Sequence, residues 1–243
     1  MNLVFTMAGK YSRFRLFGNK IPKYLYPLGN ENVLSKIIET ITKNYKFSNI
    51  YLIANRDDQL FDPIIQSVIK KFKIPNKSLI YIDDTSSQLE TTLMGSDFFS
   101  KKEKEKPVCF ANVDTVAVNR KNFFKKLSLC KKKEALLDVF PGQSSNYSFI
   151  RPNDKKNVIE VVDHKTISSL ACSGLYGFGS YKEMKEKADY SLKQNINANF
   201  TELYNNYIKS SQNVSYVLNN KKSDTIVLGT PEEYVLNLHK FKK

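Results

Sequence analysis

The first half of the chain alternates short apolar runs with stretches whose apolar residues recur every three or four positions. Short apolar runs predict buried strands, and the helical period predicts helices with one buried face. The predicted strands cover residues 3–7, 49–54, 78–82 and 107–114. The predicted helices between them cover residues 33–41, 59–72 and 89–99. Strands that alternate with helices at this spacing predict βαβ units, so we expect a doubly wound α/β fold with a mostly parallel sheet.

From residue 127 onward, short apolar runs are separated by turn residues, without the helical spacing of the first half. These runs cover residues 135–140, 147–150, 157–163 and 170–178. Short strands joined by turns are typical of antiparallel pairing. We therefore predict a single domain over residues 1–243, with a parallel part in residues 1–130 and a small antiparallel subregion in residues 131–243.

The chain is strongly basic, with 38 Lys and Arg residues against 24 Asp and Glu and a net charge of +14. The Lys residues are scattered, and the two dense runs at residues 101–106 and 131–133 are typical of solvated surface. A nucleic-acid-binding protein clusters its cations on one face, so this distribution favours attraction of a small anionic substrate. We expect no nucleic acid among the partners.

Sequence features also bear on the compartment. No apolar run reaches the roughly 20 residues of a membrane span, and the first residues lack the pattern of a secretion signal. Cys109, Cys130 and Cys172 are odd in number and widely spaced, which indicates free thiols in a reducing cytoplasm. His164 and His239 are too isolated to indicate zinc. We expect a cytoplasmic protein with no membrane partner.

Polar residues after the first strand carry the first candidate chemistry. The strand of residues 3–7 stops at Ala8 and Gly9, and the loop continues to Arg13 and then to Lys23, which follows a proline. Free backbone N–H groups at the carboxyl end of a strand, with one Arg and one Lys, suit a polyphosphate. The spacing fits neither a Walker loop nor a dinucleotide glycine triplet.

The second candidate is Asp114, the carboxylate that ends the apolar strand of residues 107–114. An acid in that position belongs at the edge of the sheet rather than in its core, because an unpaired buried charge is costly. Residues 54–55 and 83–84 follow their strands at the same edge, where α/β sheets bind ligands. Asp114 therefore predicts a Mg²⁺ ligand, with a simple turn cap as the alternative.

The opening motif resembles the nucleotidyltransferases that couple an NTP to a phosphorylated acceptor. The matching residues are Met7, Ala8, Gly9, Arg13, Phe14, Pro22, Lys23, Leu25 and Pro27. Further matches at residues 112–114 and 228–233 extend the resemblance from Leu3 to Tyr234. It implies a glycosyltransferase-A-like fold and Mg²⁺ as the cofactor. It also implies a nucleotide-binding part in residues 1–130 and an acceptor-binding part in residues 131–243.

The resemblance further implies a role for each site residue. The nucleotide-binding residues would be Met7, Ala8, Gly9, Lys10, Tyr11, Ser12, Arg13, Lys23, Ser87, Gln88 and Asn112. Arg13 would hold the β- and γ-phosphates and Lys23 the α-phosphate, while Asp114 would hold the metal. Lys165 would complete the catalytic residues by holding the acceptor phosphate. The acceptor-binding residues would be Lys165, Gly174 and Asn199.

The chain departs from the family pattern at several places, and two of them concern the phosphates and the metal. Tyr11 replaces the family's second Gly, which predicts either an open phosphate loop or a ring laid over the nucleotide. Many relatives carry a second metal-binding Asp before the Gly-Thr-Pro segment. Here Ile226 and Val227 stand at that place and Asp224 is off register, so a second metal ligand is not predicted.

Structural explanations compete for several of these residues. A plain polar loop explains Ser87 and Gln88 as well as contact with a nucleobase does. Tight strand packing explains Gly174 as well as substrate contact does. A wholly structural explanation is favoured for Thr230, which can cap a helix whose first residue is Pro231.

The combination of motifs resembles the branch of the family found in capsule and surface-polysaccharide biosynthesis. We therefore expect a cytidylyltransferase that transfers CMP from CTP to phosphoglutamine in capsular phosphoramidate synthesis, with release of pyrophosphate. The alternative is a sugar-1-phosphate nucleotidyltransferase that uses CTP, UTP or dTTP. A glycosyltransferase would show two carboxylates at the strand end, where residues 112–114 carry one. A basic nucleic-acid-binding module is the remaining alternative.

Overall fold

The computed structural model describes residues 1–16, 20–43 and 45–241. The strands are β1 (Asn2–Thr6), β2 (Pro27–Leu28), β3 (Glu31–Asn32), β4 (Asn49–Asn55), β5 (Leu79–Ile82), β6 (Val108–Asn112), β7 (Thr115–Ala117), β8 (Ala135–Pro141), β9 (Ser148–Pro152), β10 (Val158–Asp163), β11 (Leu170–Phe178), β12 (Val214–Leu218) and β13 (Thr225–Val227). The helices are α1 (Ser12–Arg15), α2 (Val33–Thr42), α3 (Asp62–Lys71), α4 (Gln88–Ser96), α5 (Lys101–Lys104), α6 (Lys121–Ser128), α7 (Tyr181–Gln194), α8 (Phe200–Lys209) and α9 (Pro231–Asn237).

The central sheet confirms the predicted α/β fold. Its main path runs β10-β9-β11-β6-β1-β4-β5, with β8 paired to β11 and β12 paired to β8. β1 pairs in parallel with β4 and β6, and β4 pairs in parallel with β5. Leu3 and Phe5 face one apolar cluster while Val4 faces the other, so both sides of β1 are buried. Burial on both sides explains why this strand is one continuous apolar run.

Strands of the second half extend the same sheet. β11 lies antiparallel between β6 and β8, and β9 and β10 form an antiparallel pair. β12 departs from the predicted antiparallel pattern, because it pairs in parallel with β8. A separate two-stranded pair joins β13 to β7. The sheet is therefore continuous from the first part of the chain into the second.

The helices lie where the apolar spacing predicts them, and the predicted and observed helices differ mainly in their first and last residues. The helix predicted over residues 59–72 begins later, as α3, because residues 56–61 form a 3-10 turn and Pro63 lies in the first turn of α3. The run at residues 101–106, which the sequence predicts as solvated surface, is partly helical. It contains α5, whose first turn is capped by Ser100 and Glu103. No helix within the described ranges is long and apolar enough to cross a membrane.

Candidate functional site

A cavity of about 730 Å³ opens at the carboxyl ends of β1 and β6. Both halves of the chain contribute to its lining. Ten of the eleven predicted nucleotide-binding residues line it, namely Ala8, Gly9, Lys10, Tyr11, Ser12, Arg13, Lys23, Ser87, Gln88 and Asn112. Asp114 and Gly174 line it as well. The structure therefore brings most of the predicted site together at the sheet edge where α/β proteins bind ligands.

The remaining nucleotide-binding candidate, Met7, lies outside the lining. Its side chain is fully buried in the core, and its backbone N–H donates to the carbonyl of Ile53 at 2.7 Å. Met7 therefore extends the strand, and the loop that faces the cavity begins at Ala8. A direct contact between the Met7 side chain and a nucleotide does not fit this position.

The turn at Tyr11 differs from both alternatives that the sequence predicts. Tyr11 adopts a left-handed conformation with φ 48° and ψ 33°, the region that Gly enters without strain. Its carbonyl accepts hydrogen bonds from the N–H groups of Phe14 and Arg15 at 2.9 and 3.0 Å, which starts α1. Its ring packs edge-on against Tyr24, with the ring centroids 5.8 Å apart. The tight turn is thus kept, and the aromatic ring packs against the protein.

Lys23 and Asp114 form an ion pair inside the cavity. The Lys23 Nζ lies 2.7 Å from the Asp114 Oδ2, and the two side chains are 17% and 22% exposed. Burial raises the pKa of Asp114, but the charge and hydrogen bond of Lys23, a bond from Thr115 and the charge of Arg13 together hold it below its usual range. Asp114 is therefore an ionised carboxylate at neutral pH, with two cations beside it.

The oxygen donors at this place fit a single Mg²⁺ held jointly with a substrate. Mg²⁺ in nucleotide sites is bound by one or two carboxylates together with phosphate oxygens and water. Asp114 supplies one such carboxylate, and its ionised state suits that role. Within the described part of the chain, no three Asp, Glu, His or Cys side chains gather as a preformed metal site. Asp224, the off-register acid, accepts a hydrogen bond from Asn119 and lies outside the cavity lining.

Glu233 is a cavity residue whose functional position the sequence did not predict. The helix-cap prediction for Thr230 is confirmed, because its Oγ1 accepts from the Glu233 N–H and the Glu233 Oε2 accepts from the Thr230 N–H. The other carboxylate oxygen of Glu233 accepts from the Tyr147 hydroxyl at 3.0 Å. Both side chains line the cavity. The helix-capping motif was the only feature of the sequence that pointed to Glu233. It explains the two hydrogen bonds with backbone N–H groups, but not the position of the side chain in the cavity.

A side-chain network closes the end of the cavity near α4. The Gln88 Nε2 donates to the Thr6 Oγ1 at 2.9 Å and also to the Asn112 Oδ1. Ser87 is the N-cap of α4, with its side chain accepting from the Glu90 N–H at 3.1 Å. Both hydrogens of the Gln88 amide are therefore used within the protein. Its carbonyl oxygen has no donor among the residues that the structure describes.

A buried ion pair supports the cavity wall from behind. The Arg120 Nε donates to the Asp138 Oδ2 at 2.6 Å, and both side chains are essentially unexposed. The same carboxylate oxygen accepts from the Ser173 hydroxyl at 2.6 Å. Ser173 itself lines the cavity beside Gly174. Gly174 has φ +86°, which favours glycine, and a Cβ there would lie 3.0 Å from the Asn112 Cβ, so backbone conformation and close packing together account for the glycine.

Comparison with solved structures identifies chains of the same fold. A nucleoside-diphosphate-sugar pyrophosphorylase from Vibrio cholerae RC9 has a TM-score of 0.80 at 22% identity, with 98% of this chain and 99% of that chain covered. A UDP-glucose pyrophosphorylase complexed with UDP-glucose has a TM-score of 0.79 at 14% identity, covering 99% and 97%. An inositol-1-phosphate CTP transferase from T. maritima has a TM-score of 0.73 at 10% identity, covering 98% and 94%.

This chain shares their fold. The likeness covers nearly the whole length of each chain, so the α/β core and the antiparallel extension are both included. No protein-family profile and no curated protein matches the sequence. The residues of the cavity must therefore carry the functional argument.

Two predicted acceptor-binding residues lie outside the cavity lining. Lys165 is exposed. Asn199 is the N-cap of α8, where its Oδ1 accepts from the Thr201 N–H at 2.7 Å and its Nδ2 donates to the Asp163 carboxylate. These contacts commit the Asn199 side chain to the start of the helix. Neither side chain lines the cavity, although Asn197, two residues before Asn199, does.

Replacement of Asn199 by alanine is expected to lower the free energy of unfolding by about 1 kcal/mol, the usual value of a lost N-cap. The Michaelis constant for the acceptor should not change. Denaturant unfolding and steady-state kinetics measure the two quantities on the same preparation. Asn205→Ala, which removes bonds to the Val161 backbone, is the matched structural control. An increase in the acceptor Michaelis constant in Asn199→Ala alone would restore the acceptor role.

Proposed function

We propose that the protein is an NTP-dependent nucleotidyltransferase that transfers an NMP to a phosphorylated small acceptor and releases pyrophosphate. The observation that carries this proposal is the Lys23–Asp114 pair beside Arg13, in one cavity with residues 8–10, whose backbone N–H groups donate to no described residue. Lys23 and Arg13 supply positive charge for the three phosphates of an NTP, and Asp114 supplies a carboxylate for the Mg²⁺ that accompanies them. The fold shared with nucleotide-sugar pyrophosphorylases and a CTP transferase supports the same reaction class.

The reaction needs positioning and charge neutralisation more than covalent participation by the protein. An oxygen of the acceptor phosphate attacks the α-phosphorus of the NTP. A new phosphorus–oxygen bond forms, the bond between the α-phosphorus and the bridging oxygen breaks, and pyrophosphate leaves. The acceptor phosphate is already ionised near neutral pH, since its second pKa is about 6, so no general base is required.

Three charged residues of the cavity have roles in this mechanism. Arg13, exposed on α1, binds the β- and γ-phosphates, which become the leaving group. Lys23 binds the α-phosphate and neutralises the negative charge that develops on it. Asp114 would hold Mg²⁺, which when bound supplies positive charge to the phosphates. Lys165 has no role in this mechanism, because it lies outside the cavity lining.

The Gln88 amide supports CTP as the nucleotide. Its two hydrogens are donated to Thr6 and Asn112, which leaves its carbonyl oxygen as the group that can read a base. A carbonyl accepts from the exocyclic amino group of cytosine, whereas uracil and thymine present a carbonyl at that place. We therefore favour CMP transfer, and a cytidylyltransferase over an enzyme that uses UTP or dTTP.

The acceptor end of the cavity supports a small polar acceptor that carries an amino or amide group. The second half of the chain contributes neutral polar residues there, and Glu233 is the single charged side chain among those described. A carboxylate attracts an ammonium group, and the neutral residues suit an amide. Phosphoglutamine has both groups, so we propose it as the acceptor and capsule synthesis as the context of the reaction. The three unpaired cysteines fit a reducing compartment such as the cytoplasm.

We expect CTP to be the preferred substrate when pyrophosphate release is measured for the four NTPs and dTTP with Mg²⁺. The acceptor panel should contain phosphorylated amino acids, sugars and polyols. Gln88→Met should reduce the affinity for CTP by roughly 2–12-fold, the value of one neutral hydrogen bond, and leave that for UTP unchanged. Gln59→Met, at an exposed position, is the control. Equal use of UTP by the wild type, with a phosphorylated sugar as acceptor, would favour the sugar-1-phosphate alternative.

A further inference from the structure

Tyr11 holds a strained backbone conformation in the phosphate loop. With φ 48° and ψ 33° it lies in the left-handed region, where a bulky side chain is rare. Such a conformation is unfavourable for a non-glycine residue and persists only where the surroundings fix it. The strained turn lies directly before α1, which carries Arg13, so its shape sets where that cation stands. Some group in the structure must hold Tyr11 in this conformation.

The surroundings of Tyr11 converge on one buried carboxylate. Asp58, in the 3-10 turn after β4, is 3% exposed and accepts from the Tyr24 hydroxyl at 2.8 Å. The Tyr11 ring packs edge-on against Tyr24, the residue whose hydroxyl Asp58 holds, and the buried Tyr11 hydroxyl has no hydrogen-bond partner among the described residues. Burial, and after it the charge of Asp58, raises the pKa of Tyr11. Burial raises the pKa of Asp58 to about 6. At pH 8 the carboxylate is therefore ionised and accepts the hydrogen bond from Tyr24.

The two tyrosines tie this carboxylate to both cationic segments. Tyr11 precedes Arg13 by two residues on the phosphate loop, and Tyr24 directly follows Lys23 on the second segment. The loop after β1, the turn at Lys23 and the turn after β4 therefore meet at Asp58. The carboxylate itself lies outside the cavity lining. Any influence that it has on a nucleotide must pass through the tyrosines.

We propose that Asp58 is a positioning residue that holds Tyr11 in its left-handed turn and thereby shapes the phosphate loop for the NTP. The NTP as ligand rests on the proposed function. The link between Asp58 and the Tyr11 turn rests on the geometry of the free protein. A glycine at residue 11 would adopt the same turn without support. The dependence of the loop on Asp58 is therefore a consequence of having tyrosine at that position.

The first test measures the loop without any ligand. Amide hydrogen exchange of Phe14 and Arg15, whose N–H groups donate to the Tyr11 carbonyl, reports the turn directly. At pH 8, Asp58→Asn should raise their exchange rates about tenfold while the core strand β1 stays protected. Asp57→Asn, its exposed neighbour, should leave both rates unchanged. Unchanged exchange in Asp58→Asn would overturn the proposal.

The second test compares the effect of Asp58 in two backgrounds by titrating CTP with Mg²⁺ in a calorimeter. We expect Asp58→Asn to weaken binding about tenfold in the wild-type background and less than threefold in the Tyr11→Gly background. An equal loss in both backgrounds means that Asp58 acts through the fold in general, and the proposal is then wrong. If the wild type binds no NTP, the proposed function fails, and hydrogen exchange alone decides the role of Asp58.

Discussion

Lys23→Ala should lower turnover by about 10²–10³-fold, because it removes one preorganised donor to the charge that develops in the transition state. The Lys23 Nζ is held 2.7 Å from Asp114 in the free protein, so it already stands in the place where the α-phosphate is proposed to bind. The affinity for the NTP should fall less than turnover, since other groups also bind the phosphates. Single-turnover kinetics with saturating NTP separate the two quantities.

The controls for this prediction distinguish charge from shape. Lys23→Arg keeps the charge but presents a planar fork in place of a point charge, so we expect it to recover part of the turnover. Lys77→Ala removes an exposed lysine elsewhere and should have no effect. Near wild-type turnover in Lys23→Ala would remove this residue from the mechanism.

Asp114→Asn should abolish the Mg²⁺-dependent activity and leave the fold intact. The amide is nearly isosteric with the carboxylate but supports ionic coordination poorly. It still accepts a hydrogen bond from Lys23, so the melting temperature without ligand should change little. The stabilisation that Mg-NTP gives to the wild type should be lost, because a ligand stabilises only the state that binds it.

Thermal melting with and without Mg-CTP and kinetics over a Mg²⁺ titration measure both parts of this second expectation. Asp154→Asn, on an exposed turn, is the matched control. Unaltered metal dependence of turnover in Asp114→Asn would show that another group holds the metal. Glu233, which lines the same cavity, would then be the first residue to substitute.

The fold was predictable where burial dictates the pattern. Residues 3–7 read as a strand because both faces of β1 are covered, and residues 33–41 read as a helix because one face of α2 is buried. The partner of β12 was not predictable. Its parallel pairing with β8 joins residues about 80 positions apart, and no local spacing reports such a contact.

Two charged residues of the cavity were predictable, because Asp114 follows an apolar strand and Lys23 belongs to the opening motif. The site was not predictable where contacts between distant segments determine the conformation or position of a residue. The Tyr11 ring packs against Tyr24, whose hydroxyl is held by Asp58, and Asp58 lies 47 residues from Tyr11 in the sequence. The cavity position of Glu233 depends on Tyr147, which reaches it from another segment. Lys165 matched a family motif, but a sequence motif does not determine whether the residue lies in the cavity lining, and Lys165 lies outside it.

The place of β11 in the sheet has a consequence for how the protein is made on the ribosome. β6 ends at Asn112, but its antiparallel neighbour β11 is complete only after Phe178, about 66 residues later. At 5–20 residues per second, roughly 3–13 s pass before that neighbour has been synthesised. During this interval the apolar edge of β6 has no partner on that side and is open to pairing with another chain. Nascent-chain aggregation should therefore be greatest between these two points of synthesis.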